Sequence, residues 1–165
     1  MPVYNFSHSA RTAQGLVQPY PAGLRMAGPS LQVEVSVPTA LANQLQAANQ
    51  PIPNPVLGLG IVDTGASISA VDSTVISQLG VQPVGTANVG TAGGPQTQFT
   101  YPAKFTFPGT GIPSIEFSTL IGSNLTGQIV PGPQQGNLIV LLGRDILEHF
   151  IFVYNGPSGM FTLAL

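Results

Sequence analysis

The sequence predicts a single all-β domain, and three features of the chain predict it. Its 165 residues are about one domain's worth. Its 20 glycines and 16 prolines leave little room for long helices. Short apolar runs separated by turn residues recur along the chain, as expected for strands joined by turns.

The first half of the chain contains two clear strand signals. Residues 1–30 have no clear period, and we expect them to form an extended arm before a domain at 31–165. Strict apolar–polar alternation over 31–37 predicts a half-buried strand. Residues 41–49 fit a short helix or an ordered loop, and a proline-rich stretch then separates them from an apolar strand at 56–62.

The second half reads as short strands with two helical turns. Residues 84–107 predict two strands around a glycine-rich tip, which is a hairpin signature. The remaining predicted elements are strands at 67–75, 115–121, 127–130 and 138–142, helical turns within 72–79 and 146–150, and a closing hairpin at 151–154 and 160–165.

Composition excludes several classes of function. Charged residues make up 6% of the chain against a typical ~25%, and the four cations are too scattered to form a nucleic-acid groove. No apolar run approaches the ~20 residues of a membrane helix, so we expect no membrane insertion. The absence of cysteine excludes disulfides, a thiol nucleophile and zinc–thiolate sites. We expect a soluble protein, cytoplasmic or secreted. Scarce charge fits tolerance of acid and fits equally a drift toward uncharged polar residues.

One segment carries the residues expected of a catalytic site. Asp63 follows the apolar strand at 56–62 and precedes Thr64 and Gly65. Burying a carboxylate is costly unless hydrogen-bond donors or a shared proton compensate. Thr64 offers a hydroxyl, and Gly65 lets the backbone N–H approach closely. This pattern suits a catalytic carboxylate, although an Asp before Thr-Gly is also a common turn residue.

The order of motifs resembles the retroviral-type aspartic proteases, the retropepsins. An apolar strand enters Asp63-Thr64-Gly65-Ala66, a glycine-rich hairpin follows, and a second apolar strand enters Gly143-Arg144-Asp145 before a short helix and a closing strand at 161–165. The resemblance covers 31–165. It implies a single-domain barrel that hydrolyses peptide bonds in peptide or protein substrates without a cofactor or metal. Because the chain has one such Asp-Thr-Gly and two carboxylates are needed, we expect a homodimer with one Asp63 from each subunit.

The resemblance also implies residue roles. Asp63, Thr64 and Gly65 would form the catalytic turn, and Arg144 and Asp145 the structural turn that supports it. The strand at 161–165 would lie at the dimer interface. The substrate-binding residues implied are Ala66 and Ser67 in the cleft, Val89, Gly90, Thr91, Ala92 and Gly93 at the flap tip, and Leu138, Ile139 and Leu141 as apolar pocket walls.

Two departures from the family pattern lead to further expectations. Many retroviral members carry an acidic residue where Ser67 stands, so Arg144 needs another partner, and Asp72 or a backbone carbonyl are candidates. Ala66 has no hydroxyl to stabilise a neighbouring carboxylate, which predicts a higher pH optimum than in relatives with serine there.

Two other functions are compatible with the same residues. One is a catalytically inactive retropepsin-fold module that binds peptides or dimerises. The other is a structural β-sandwich of a capsid or surface layer, which predicts no cleft at Asp63. His8 and His149 are far apart in sequence and do not indicate a site of their own.

Overall fold

A computed structural model describes residues 1–91, 94–131 and 135–165 of the chain. Within these residues the helices are α1 (Pro21–Ala27), α2 (Thr39–Ala47), α3 (Ser73–Gln78) and α4 (Arg144–Leu147), with one 3-10 turn (Gly156–Ser158). The strands are β1 (Val3–Ser7), β2 (Ser9–Arg11), β3 (Val17–Pro19), β4 (Ser30–Ser36), β5 (Val56–Val62), β6 (Ala70–Asp72), β7 (Gly85–Thr91), β8 (Gly94–Thr106), β9 (Ile115–Ser123), β10 (Ile129–Val130), β11 (Gly136–Leu142), β12 (Ile151–Asn155) and β13 (Met160–Ala164).

Six of these strands close into a barrel in the order β11-β5-β4-β8-β9-β6, with β6 pairing back onto β11. The β11–β5 and β6–β9 pairs are parallel, and the other pairs around the ring are antiparallel. Closure leaves the barrel strands without free edges over their paired residues. The inward-facing side chains are aliphatic and aromatic, and those fully buried include Leu31, Val33, Val35, Val71, Phe105, Leu120, Val140 and Leu142.

A three-stranded sheet, β1-β13-β12, lies outside the barrel order. Its inner face packs aromatic rings on the core: Phe6 stacks on Phe161 with ring centroids 4.6 Å apart, and Phe152 lies 6.3 Å from the same ring. Such aromatic pairs stabilise a fold beyond the area they bury. The sheet therefore fastens the first strand of the chain to the last.

The structure differs from the expected extended arm over residues 1–30. β1 pairs with β13 along its whole length, β2 and β3 form a small hairpin, and Leu24 of α1 is fully buried. Residues 1–30 show no sustained period in sequence because these elements are short, and the partner strand of β1 lies more than 150 residues away.

The predicted all-β domain with a short helix after β11 is confirmed. The strand predicted at 56–62 has those bounds, and the hairpin predicted at 84–107 forms from β7 and β8. α2 resolves the helix-or-loop alternative in favour of a helix. No helix in the described parts of the chain is both long and apolar enough to cross a membrane.

Candidate active site

The site begins where β5 leaves the barrel. β5 is flanked by β4 and β11, and Val62 at its end is buried. The next residue, Asp63, still donates its N–H to the Leu142 carbonyl oxygen at 2.9 Å. Its backbone is therefore fixed by the barrel, while its side chain is half-buried at the barrel end.

A tight turn wraps around the Asp63 carboxylate. The Gly65 N–H donates to Asp63 Oδ1 at 2.9 Å, and the Ala66 N–H donates to the Asp63 carbonyl oxygen at 3.2 Å. A Cβ at position 65 would lie 3.1 Å from Oδ1, closer than ordinary contact. Glycine at this position therefore lets the backbone donor reach the carboxylate, as the sequence predicts.

Arg144 braces this turn from the second apolar strand. Its guanidinium donates to the carbonyl oxygens of Thr64 at 2.7 Å and Gly65 at 3.2 Å, and to the Ser67 hydroxyl at 2.7 Å. The predicted carbonyl partner is thus confirmed. The alternative prediction, that Asp72 is the partner of Arg144, is wrong, because the Asp72 carboxylate accepts hydrogen bonds from Thr74 and Leu125 instead.

Asp72 is the last residue of β6 and is 2% exposed. It caps α3 by accepting from the Thr74 N–H at 2.7 Å and also accepts from the Leu125 N–H at 2.8 Å. Burial alone would raise the pKa of the Asp72 carboxyl, but hydrogen bonds from the Thr74 hydroxyl and N–H and from the Leu125 N–H outweigh it and lower that pKa. Asp72 is therefore a structural carboxylate.

Below the Asp63 turn, a buried network joins the two strand ends. Asp145 accepts from both the N–H and the hydroxyl of Ser69, at 2.8 and 2.6 Å, and the Ser69 hydroxyl accepts from the Gly143 N–H at 2.9 Å. A Cβ at position 143 would lie 2.8 Å from the carbonyl carbon of Ile68, so only glycine allows this approach. The network fixes the distance between the Asp63 loop and the start of α4.

A cavity of about 460 Å³ separates the Asp63 loop from the β7–β8 hairpin. Asp63 is the one ionisable side chain among the described residues that line it. The lining residues come from the loop, the hairpin and the barrel strands between them: Asp63, Gly65, Ala66, Ser67, Ile68, Ala70, Ala87, Asn88, Val89, Gly90, Ile121, Ser123 and Leu141.

The structure brings seven of the predicted catalytic and substrate-binding residues to this cavity. Those that line it are Asp63, Gly65, Ala66, Ser67, Val89, Gly90 and Leu141. Thr64 instead lines an adjoining open groove together with Arg144, Asp145 and Phe152. The backbone of Thr91 ends β7, and the predicted flap-tip residues Ala92 and Gly93 lie outside the described residues.

Leu138 and Ile139, which the sequence suggested as pocket walls, are not brought to the cavity. Both are buried in the interior, at 6% and 5% exposure, in two different core clusters. The pairing of β11 with β5 shifts register between Leu138 and Val140. This irregularity breaks the simple alternation that would have presented 139 and 141 to the same face.

Six lining residues were not predicted from the sequence: Ile68, Ala70, Ala87, Asn88, Ile121 and Ser123. For Ile121 and Ser123 the sequence holds a weak signal: side chains two residues apart on one strand share a face, so both would line the cavity if either did. Which face meets Asp63 depends on the parallel β6–β9 pairing, which no local pattern specifies.

The described residues contain no cluster of three or more His, Asp or Glu side chains that could hold a metal ion.

No protein-family model matches the chain, and no curated protein matches it. Among solved structures, it is similar to a retropepsin-like aspartic protease from Rickettsia conorii, at 17% identity and a TM-score of 0.37, with 98% of this chain and 91% of that chain covered.

Proposed function

We propose that this protein is an aspartic endopeptidase, active as a homodimer in which each subunit contributes one Asp63. The observation that carries the proposal is the placement of Asp63: a braced carboxylate, held by the Gly65 N–H, opens onto an otherwise uncharged cavity beneath a β-hairpin. A peptide in that cavity would meet a carboxylate and an apolar wall together.

The chemistry requires a second carboxylate. Two carboxyl groups about 3 Å apart cannot both ionise, so they share one proton. The ionised group removes a proton from a water molecule, whose oxygen attacks the peptide carbonyl carbon, while the protonated group donates to the carbonyl oxygen. The tetrahedral intermediate then collapses with protonation of the leaving nitrogen, and no bond to the enzyme forms.

Within one chain, the other acidic side chains either form hydrogen bonds elsewhere or do not line the Asp63 cavity. Asp145 accepts from Ser69, Asp72 caps α3, and Glu116 binds the start of α2 through Thr39. Neither Glu34 nor Glu148 lines the Asp63 cavity. A second copy related by a two-fold axis would supply the missing group as another Asp63.

The edge of β12 is the surface that we assign to this contact. β13, expected to be the interface strand, lies in the middle of its sheet with β1 and β12 on either side. β12 carries no charge, and its Ile151 and Val153 are 56% and 49% exposed. An uncharged exposed edge strand favours pairing with another chain. Phe152 of this strand lines the same groove as Thr64 and Arg144, so the edge continues to the active-site turn.

The activity test uses the full chain and a peptide library between pH 4 and 7. Wild type is expected to cleave, Asp63→Asn to lose cleavage while keeping its dimer, and the matched control Glu34→Gln to cleave as wild type. A wild type that cleaves no peptide and binds no pepstatin-type inhibitor would instead support the inactive peptide-binding or dimerisation module.

The interface test exploits the absence of cysteine from the chain. Val153→Cys should form a disulfide-linked dimer on mild oxidation, because an antiparallel pairing of two β12 edges centred on Val153, the middle residue of the strand, would place the two copies of this side chain opposite each other. Val84→Cys, at a similarly exposed valine (58%) on the approach to β7, is the control and should stay monomeric on a denaturing gel. Equal cross-linking of both variants would refute the β12 contact.

A further inference from the structure

The walls of the Asp63 cavity are mainly apolar. Ile68, Ile121 and Leu141 supply large aliphatic groups, and alanines at 66, 70 and 87 leave space between them. A charged substrate side chain would lose its hydration against these walls, and the one carboxylate among the described lining residues, Asp63, is the group that the proposed reaction uses. The cavity therefore suits a bulky uncharged side chain.

A serine, Ser123, lines the cavity next to its apolar wall. Ile121 and Ser123 lie two residues apart on β9, on the same face, and both line the cavity. Two residues along a strand span about 6.6 Å. In the parallel pairing with β6, Ile121 lies beside Ala70 and Ser123 beside Asp72. Since β6 leaves the Asp63 loop at Ala70, Ser123 lies farther from that loop than Ile121.

The Ser123 hydroxyl is available to a ligand. Its backbone carbonyl oxygen accepts from the Ser73 hydroxyl at 3.3 Å. Among the described residues, no side chain or backbone group forms a hydrogen bond with the Ser123 hydroxyl itself. The residue is half-buried and lines the cavity, so a ligand in the cavity can reach it.

We infer that Ser123 is a specificity-determining residue that favours tyrosine over phenylalanine in the substrate side chain bound by this cavity, an inference that rests on the proposed function. Tyrosine combines an apolar ring with a hydroxyl at its far end. With its Cβ held near Asp63, the ring would lie along Ile121 and Leu141, and the phenol would reach toward Ser123.

The expected preference is modest. A hydrogen bond between two neutral hydroxyl groups replaces hydrogen bonds with water, so its net effect is small. Water can also reach the half-buried Ser123. A bound phenylalanine side chain therefore does not leave the Ser123 hydroxyl without a hydrogen-bond partner. We expect a ratio of kcat/KM for tyrosine over phenylalanine of about threefold to tenfold.

The experiment uses peptides that differ only at this position, with Tyr, Phe or Lys. Wild type should cleave the Tyr peptide faster than the Phe peptide by that ratio and discriminate strongly against Lys. Ser123→Ala should bring the Tyr/Phe ratio to about one. Ser77→Ala, which removes an exposed hydroxyl from α3, is the control and should keep the wild-type ratio. A wild-type ratio of one, or a ratio that survives Ser123→Ala, would overturn the assignment.

A binding measurement separates this inference from the proposed activity. Calorimetry on Asp63→Asn, with the same Tyr and Phe peptides, should show tighter binding of Tyr by a similar ratio, lost in the double variant with Ser123→Ala. If wild type cleaves nothing but this binding ratio is found, catalysis fails and the Ser123 assignment stands. If peptides are cleaved or bound without the ratio, the Ser123 assignment fails, and if none is cleaved or bound, both fail.

Discussion

Removing the hydroxyl of Ser69 should lower the free energy of unfolding more than removing the hydroxyl of any neighbouring serine. Ser69 is fully buried, and its hydroxyl both donates to Asp145 at 2.6 Å and accepts from the Gly143 N–H at 2.9 Å. It thus joins the end of β11 to the start of β6. Ser69→Ala removes one atom that serves two partners.

The magnitude follows from those two partners. A hydrogen bond to a charged group contributes about 1.5–3 kcal/mol, and a buried N–H left without an acceptor costs about 1–3 kcal/mol. The two effects together predict that the free energy of unfolding falls by about 3 kcal/mol or more. For a domain of this size, each kcal/mol shifts the Tm by roughly 2–4 °C, so Ser69→Ala should melt about 6–12 °C lower.

Urea unfolding at fixed protein concentration measures this change, since a shared dimer contact makes stability concentration-dependent. The midpoint should fall with no change in slope. Ser67→Ala is the matched control: its exposed hydroxyl binds Arg144, and exposed contacts of this kind contribute at most about 1 kcal/mol. A loss for Ser69→Ala no larger than the control's would refute the reasoning.

Three further predictions concern pH and the loop brace. Hydrogen bonds lower the pKa of Asp72, so its ionised form stabilises the fold above about pH 4. That contribution is lost as the pH falls through the lowered pKa. The difference in urea midpoint between wild type and Asp72→Asn should therefore be largest at neutral pH and shrink in acid. Ala66→Ser adds a donor beside the catalytic turn, so the pH optimum for cleavage should move toward acid, and an unchanged pH–rate profile would contradict the role of this position. Arg144→Met removes three hydrogen bonds to the turn, so kcat/KM should fall by more than tenfold, whereas retained activity would show that the turn holds its shape alone.

The local parts of this site could be predicted from the sequence. An apolar run that enters Asp-Thr-Gly predicts a carboxylate at a strand end, and the structure places Asp63 there with the Gly65 N–H on its oxygen. The uncharged Ser67 indicates that Arg144 needs another partner, and the sequence leaves Asp72 and a backbone carbonyl as the candidates. The Asp63 inference depends on residues close in sequence, where turn chemistry decides the geometry, whereas the two carbonyl groups that Arg144 binds lie 80 and 79 residues away.

The remaining parts depend on long-range pairing. Ser69 directly precedes the short strand β6. Its hydroxyl stabilises the site because Gly143 and Asp145, which lie more than 70 residues away in sequence, form hydrogen bonds with Ser69. Ser123 faces the cavity because of the register between β6 and β9. Leu138 and Ile139 look like pocket walls in sequence, but a register shift in β11 turns them into the interior.

Mixing subunits tests most directly whether two copies share one site. Wild type and Asp63→Asn are combined, allowed to exchange, and assayed at constant wild-type concentration. If each site needs two Asp63 residues, an equal mixture should keep about half the activity per wild-type chain, and larger excesses of Asp63→Asn should reduce it further in proportion. Activity per wild-type chain that stays constant at every ratio would contradict the account.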